Sequence, residues 1–187
     1  MRRRYLPGVV AWLLALVGCN SGSTLASYGV VPDFLLTDQS GQSFDSKQRL
    51  NGKVWVANLI FTTCNGPCPR MSAQFRKLQN ELGSKPDFRL VSITIDPARD
   101  TPTALAAYGR NFGATGETWS LLTGSAADLQ KLSLDTFHLA RIDGNLEHGT
   151  RFVLVDKQSR IRGYYDSADP EEMRKLTADV NTLLQGA

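Results

Sequence analysis

Cysteine is scarce in this chain: three in 187 residues, at positions 19, 64 and 68. That is too few for a disulfide-stapled scaffold. A chain of this length does not need one, because about 70% of the unfolded surface can be buried at this size. Histidine is scarcer still, with only His138 and His148. No internal repeat is present, and no low-complexity segment beyond a short polar stretch at 20–24. The apolar run at 9–17 falls well short of the ~20 residues that span a bilayer. Net charge is also nearly absent once the N-terminus is set apart. Arg2, Arg3 and Arg4 supply three of the 21 basic residues, and no acid precedes Cys19. From residue 19 onward 18 basic residues face 18 acidic ones. A balance of zero argues against a nucleic-acid partner.

The basic start, the short apolar run and the sequence Leu16-Val17-Gly18-Cys19 read together as a targeting signal. The Leu-Val-Gly-Cys ending resembles a bacterial lipobox, which implies cleavage before Cys19 and lipid on its sulfur. The expected organisation is a signal peptide at 1–18, a tether at 19–27 and a single domain at 28–187. The expected location is a membrane-anchored lipoprotein facing the periplasm or the cell exterior.

The domain alternates strand and helix patterns. Residues 28–37 and 41–44 predict an N-terminal hairpin with its turn at 38–41. Residues 53–61 are almost continuously apolar, as in a central strand covered on both faces. Met71, Phe75, Leu78 and Leu82 recur at helical spacing, which predicts a helix from about 68 to 82. A second central strand is expected at 88–96. Asp100-Thr101-Pro102 opens another helix, since a capping residue and a first-turn proline stand together. Further strands are expected near 119–124, 151–156 and 160–166. Helices are expected from Ser125 to about Leu134 and from Pro170 to about Leu184. This order predicts an α/β fold: a thioredoxin-like, peroxiredoxin-like sandwich with a mixed central sheet flanked by helices.

Cys64 and Cys68 stand where the first core strand hands over to its helix, in Thr62-Thr63-Cys64-Asn65-Gly66-Pro67-Cys68-Pro69. Two thiols four residues apart across a helix start can converge. The positive end of the helix favours thiolate over thiol. Such a pair supports a reversible Cys64–Cys68 disulfide or ligation of a soft metal. A purely structural bridge here would close a five-residue loop and staple little. Redox enzymes of this fold carry Cys-x-x-Cys, one residue shorter, though Gly66-Pro67-Cys68 echoes its end. Their late core strand is preceded by a proline, absent from His148-Gly149-Thr150-Arg151-Phe152. A thiol peroxidase would need threonine three residues before its cysteine, where Asn65 stands relative to Cys68. His148 precedes the late strand at the sheet end that faces the dithiol in such folds, which makes it the candidate third ligand. Two thiolates and an imidazole suit copper; zinc accepts the set but usually takes a fourth ligand in structural sites. His138 and Met71 read as structural, Met71 because it lies in the apolar stripe.

Three motifs in order, Cys64-x-x-x-Cys68-Pro69, Asp96-Pro97-x-Arg99-Asp100-Thr101-Pro102 and His148-x-x-x-Phe152-x-Leu154-Val155-Asp156, resemble those of the Sco/SenC family of copper proteins. The resemblance spans about 28–185. It implies one copper ion, Cu(I) or Cu(II), held by Cys64, Cys68 and His148, with Asp96 supporting the site. It further implies a metallochaperone that assembles cytochrome c oxidase, delivering copper to the CuA centre of subunit II or a similar cuproprotein. The alternative is a thiol–disulfide oxidoreductase that reduces that partner's cysteines. In that case Cys64 would be the exposed nucleophile and Cys68 the resolving thiol. Enzymatic activity is not required by the chaperone reading.

Overall fold

The computed structural model describes residues 25–139 and 149–186; Cys19 and His148 lie outside the described residues. A hairpin of β1 (Leu35–Asp38) and β2 (Ser43–Asp45) leads into a single helical turn, α1 (Ser46–Arg49). β3 (Val54–Ile60) is followed by α2 (Cys68–Leu82), then β4 (Phe88–Thr94), α3 (Pro102–Phe112) and β5 (Trp119–Thr123). α4 (Ala126–Gln130) continues into a π-helical segment, Lys131–Thr136. The hairpin β6 (Arg151–Val155) and β7 (Ile161–Asp166) and the helix α5 (Pro170–Gln185) close the fold.

The strands form one mixed sheet in the order β2-β1-β5-β4-β3-β6-β7. β3, β4 and β5 run parallel, while β6 and β1 flank them antiparallel. Every residue of β3 is buried, as its apolar run predicts. Its side chains alternate between two cores. Val54, Val56 and Ile60 join Met71, Phe75, Leu78 and Leu82 of α2 and Leu176 and Val180 of α5 on one face. Trp55, Ala57 and Leu59 face Phe44, Leu129 and Phe137 on the other. Phe75 keys the first core, with its ring 4.8 Å from Phe152 and 5.5 Å from Trp119.

Two expectations change. Residues 28–31 do not belong to the N-terminal hairpin. They run along the far edge of the sheet, where Val30 bridges Arg160 and the Tyr28 N–H donates to the Ile161 carbonyl. Pro32 separates this stretch from the hairpin, because its ring fixes φ and removes a ladder donor. Ordered contact begins still earlier, inside the expected tether: Leu25 packs on the core, and the Leu25 and Ala26 carbonyls accept from Arg162. α3 opens where expected, with Thr101 as the cap, its hydroxyl accepting from the Ala104 N–H, and Pro102 in the first turn.

Candidate metal centre

β3 ends at Ile60, and the chain turns at once: the Cys64 N–H donates to the Phe61 carbonyl at 3.2 Å. Cys68 is the first residue of α2. Pro67 precedes it without a capping side chain, and Pro69 occupies a first-turn position where a missing N–H costs little. Both cysteines stand as thiols with no disulfide between them. Cys64 keeps 8% of its surface and Cys68 none, so Cys64 is the accessible member of the pair. The loop folds closely over it: a side chain at Gly66 would begin 3.9 Å from the Cys64 sulfur.

The expectation that the helix terminus favours thiolate does not hold for Cys68. Burial, and after it the hydrogen bond with Cys64, pushes its thiol up from 9.0 to about 12. The Phe61 N–H, donating to the sulfur, acts in the opposite sense and is outweighed. The magnitudes explain the order. A helix terminus supplies about 0.3–1 kcal/mol, less than one pKa unit of about 1.4 kcal/mol. Complete burial of a thiolate costs more than that. In the metal-free protein Cys68 is therefore a buried thiol, hydrogen-bonded to Cys64, that keeps its proton at neutral pH. Tyr108 lies close by: its hydroxyl sits 2.7 Å from Ser72 Oγ, one turn after Cys68, and burial raises its pKa.

Of the two acids in the motif at 96–102, Asp96 is paired with Arg99, Nε to Oδ2 at 2.5 Å, and its N–H donates to Thr94 Oγ1. Asp100 is the one that reaches the cysteine loop. Its buried carboxylate accepts from the Thr62 N–H at 3.1 and 3.2 Å, from Thr62 Oγ1 at 2.5 Å and from Thr94 Oγ1 at 2.5 Å. Sequence reasoning missed this role by assigning Asp100 to the helix start. The signal was present: Thr101-Pro102 already supplies a cap and a first-turn proline, which leaves Asp100 without a local task.

Met71 is fully buried within the α2 stripe, as expected. His138 closes the π-helical segment through its N–H to the Leu134 carbonyl, at a positive φ of 55°. Among the described residues no group of three or more His, Cys, Asp or Glu side chains could hold a metal. The expected third ligand, His148, lies outside them. The register bears on where: Ala57 of β3 pairs with Val153 of β6, antiparallel, so the chain entering β6 at Gly149-Thr150 comes in beside the C-terminal end of β3. That is the end from which the cysteine loop departs. Asp166 at the end of β7 binds Thr150 Oγ1 at 3.0 Å and feels the charges of Arg70 in α2 and of Arg151, which ties the two loops to one pole.

A family model described as SCO1/SenC matches residues 23–185. The chain belongs to the SCO1/SenC family. Among solved structures, a SCO1/SenC family lipoprotein from Bacillus anthracis is 33% identical, with a TM-score of 0.76 over 86% of this chain and 98% of that one. BsSco, described as a member of the Sco family of cytochrome c oxidase assembly proteins with a disulfide switch, is 26% identical, with a TM-score of 0.73 over 87% and 96%. Copper-bound ScoI from Bradyrhizobium japonicum shares the fold at 23% identity, with a TM-score of 0.68 over 83% and 99%. The thioredoxin-like α/β architecture is thus the Sco fold, with the dithiol at its strand-to-helix junction.

Proposed function

We propose that this Sco protein is a copper metallochaperone for cytochrome c oxidase, holding one copper ion through Cys64, Cys68 and His148. The observation that carries the reading is the dithiol itself: two adjacent, buried sulfurs with no disulfide between them, in a SCO1/SenC chain. Sulfur donors select Cu(I), and an added imidazole also suits Cu(II). The high pKa of Cys68 means that binding releases protons, so affinity rises with pH. Cys64, nearer the surface, is the ligand that exchanges first with an acceptor's thiolate. The acceptor is the CuA-type site of oxidase subunit II or a similar cuproprotein. Cys19 carries the lipid that anchors the domain at the outer face of a membrane.

The test is an anaerobic copper titration of the reduced protein against a competing chelator. One tightly held equivalent is expected, lost in Cys64→Ser and Cys68→Ser and sharply weakened in His148→Ala. The second reading, a thiol–disulfide reductase, draws on the unequal exposure of the pair. Cys64 would attack a partner disulfide and Cys68 would displace the reduced partner. The two thiols become one disulfide and the partner gains two electrons and two protons. Unchanged copper affinity in His148→Ala, together with fast copper-independent reduction of a substrate disulfide, would select that reading.

A further inference from the structure

We infer that Asp100 is a positioning residue that holds the Cys64 loop in register with Cys68. This rests on the reading of Cys64 and Cys68 as the working pair. Asp100 is fully buried, yet among the described residues no ion pair reaches it. Its two oxygens are taken by Thr62 and Thr94. Thr94 is at the end of β4, and its hydroxyl also accepts from the Asp96 N–H at 2.9 Å. Thr62 is in the turn that leaves β3, two residues before Cys64. The carboxylate therefore ties the cysteine loop to the neighbouring strand.

The neighbour of Thr62 makes this consequential. Phe61 contacts both cysteines through its main chain: its carbonyl accepts from the Cys64 N–H, and its N–H donates to the Cys68 sulfur. Fixing the Thr62 N–H fixes the Phe61–Thr62 peptide plane, and with it the Phe61 carbonyl that accepts from the Cys64 N–H. Three donor groups converge here, the Thr62 N–H and the Thr62 and Thr94 hydroxyls, more than the two lone pairs of a single hydroxyl could accept. A charged acceptor makes these bonds short and strong. Thr62 is half-buried, and the carboxylate adds to the Cys64-to-Phe61 and Cys64-to-Cys68 hydrogen bonds that hold its loop.

The experiment compares Asp100→Ala and Thr62→Val with wild type, each at a temperature where unfolding curves show it fully folded. The first readout is copper-free: the equilibrium between dithiol plus oxidised glutathione and disulfide plus two reduced glutathiones. A loosened loop lowers the effective concentration of one thiol at the other. Disulfide formation is then expected to weaken by about tenfold in Asp100→Ala and by less in Thr62→Val. Amide exchange at 62–66 should quicken while β3 stays protected. The second readout is copper affinity, expected to fall about 10- to 100-fold. If Asp100→Ala does not fold, Thr62→Val carries the same comparison. A variant with lower thermal stability but unchanged glutathione equilibrium and loop exchange would overturn the inference and leave Asp100 a structural residue. Because the first readout contains no metal, it decides the role of Asp100 even if wild-type protein binds no copper.

Discussion

Cys68 opens a helix and is also wholly buried, and at this residue the two influences have opposite signs. Burial is larger, so the folded thiol titrates at about 12, against 9.0 without the fold. A folded-state pKa that is raised means that unfolding releases a proton between those values. Stability linked to Cys68 is thus complete below about pH 9 and is lost as pH rises toward about 12. Urea unfolding of the reduced, metal-free protein should show a falling midpoint above pH 9. Cys68→Ala should start lower, because it leaves a small cavity, and fall less steeply. Equal slopes would mean that the thiol is not what titrates. The pair and its junction were legible in the sequence because strand run, cysteine spacing and helical stripe are all local. The balance between helix terminus and burial was not, since it depends on how deep the first turn of α2 sits. That Asp100 has no local task was legible, but what it binds was not, for a similar reason: its partner Thr62 lies 38 residues away in the chain.

Elements with strong periodicity followed the sequence closely. β3, β4, α2 and α5 fall within a residue or two of their expected spans, because one face or both faces of each must be apolar. The departures come where tertiary contact decides. α4 widens into a π-helical segment at 131–136, and local spacing does not distinguish this from a continued α-helix. β7 illustrates how one element docks another. Tyr165 donates its hydroxyl to Asp179 of α5 at 2.7 Å, and burial, then that bond, raises its pKa. Its ring folds back across Gly163, where a side chain would begin 2.5 Å from the hydroxyl and 2.7 Å from ring carbons. Gly163→Ala must therefore displace the Tyr165 ring and loosen α5. The expected cost is about 1–3 kcal/mol in urea unfolding, the range for overpacking a filled site. Faster amide exchange in α5 should accompany it. An unchanged midpoint would show that β7 can slide away from the ring without loss.

Across the whole molecule, strand direction separates the dithiol from the place where the chain enters the domain. β3 carries its cysteines from its C-terminal end, while β6 and β7 run so that Asp156 and Arg162 sit at the opposite pole. There Arg162, almost wholly buried, donates to Asp156 at 2.8 Å and to the carbonyls of Leu25 and Ala26. Burial alone would raise the Asp156 carboxyl, but donors from Arg162, Arg160 and Gln158 together hold it below the ordinary carboxylate value. A depressed pKa contributes stability that is full above about pH 4 and is lost as pH falls through the folded value. Arg162→Met removes the central cation and, among the described residues, leaves Asp156 with Arg160 as its ionic partner. The expected loss is about 3 kcal/mol, the low end for breaking a buried pair, because that second arginine remains. Residues 25–31 should then exchange their amide hydrogens rapidly and become open to proteases. Copper affinity should stay within twofold of wild type, because the clamp and the cysteine loop lie at opposite ends of the sheet. A large fall in copper affinity with residues 25–31 still protected would mean that the two poles are coupled through β6, and the separation argued from strand direction would fail.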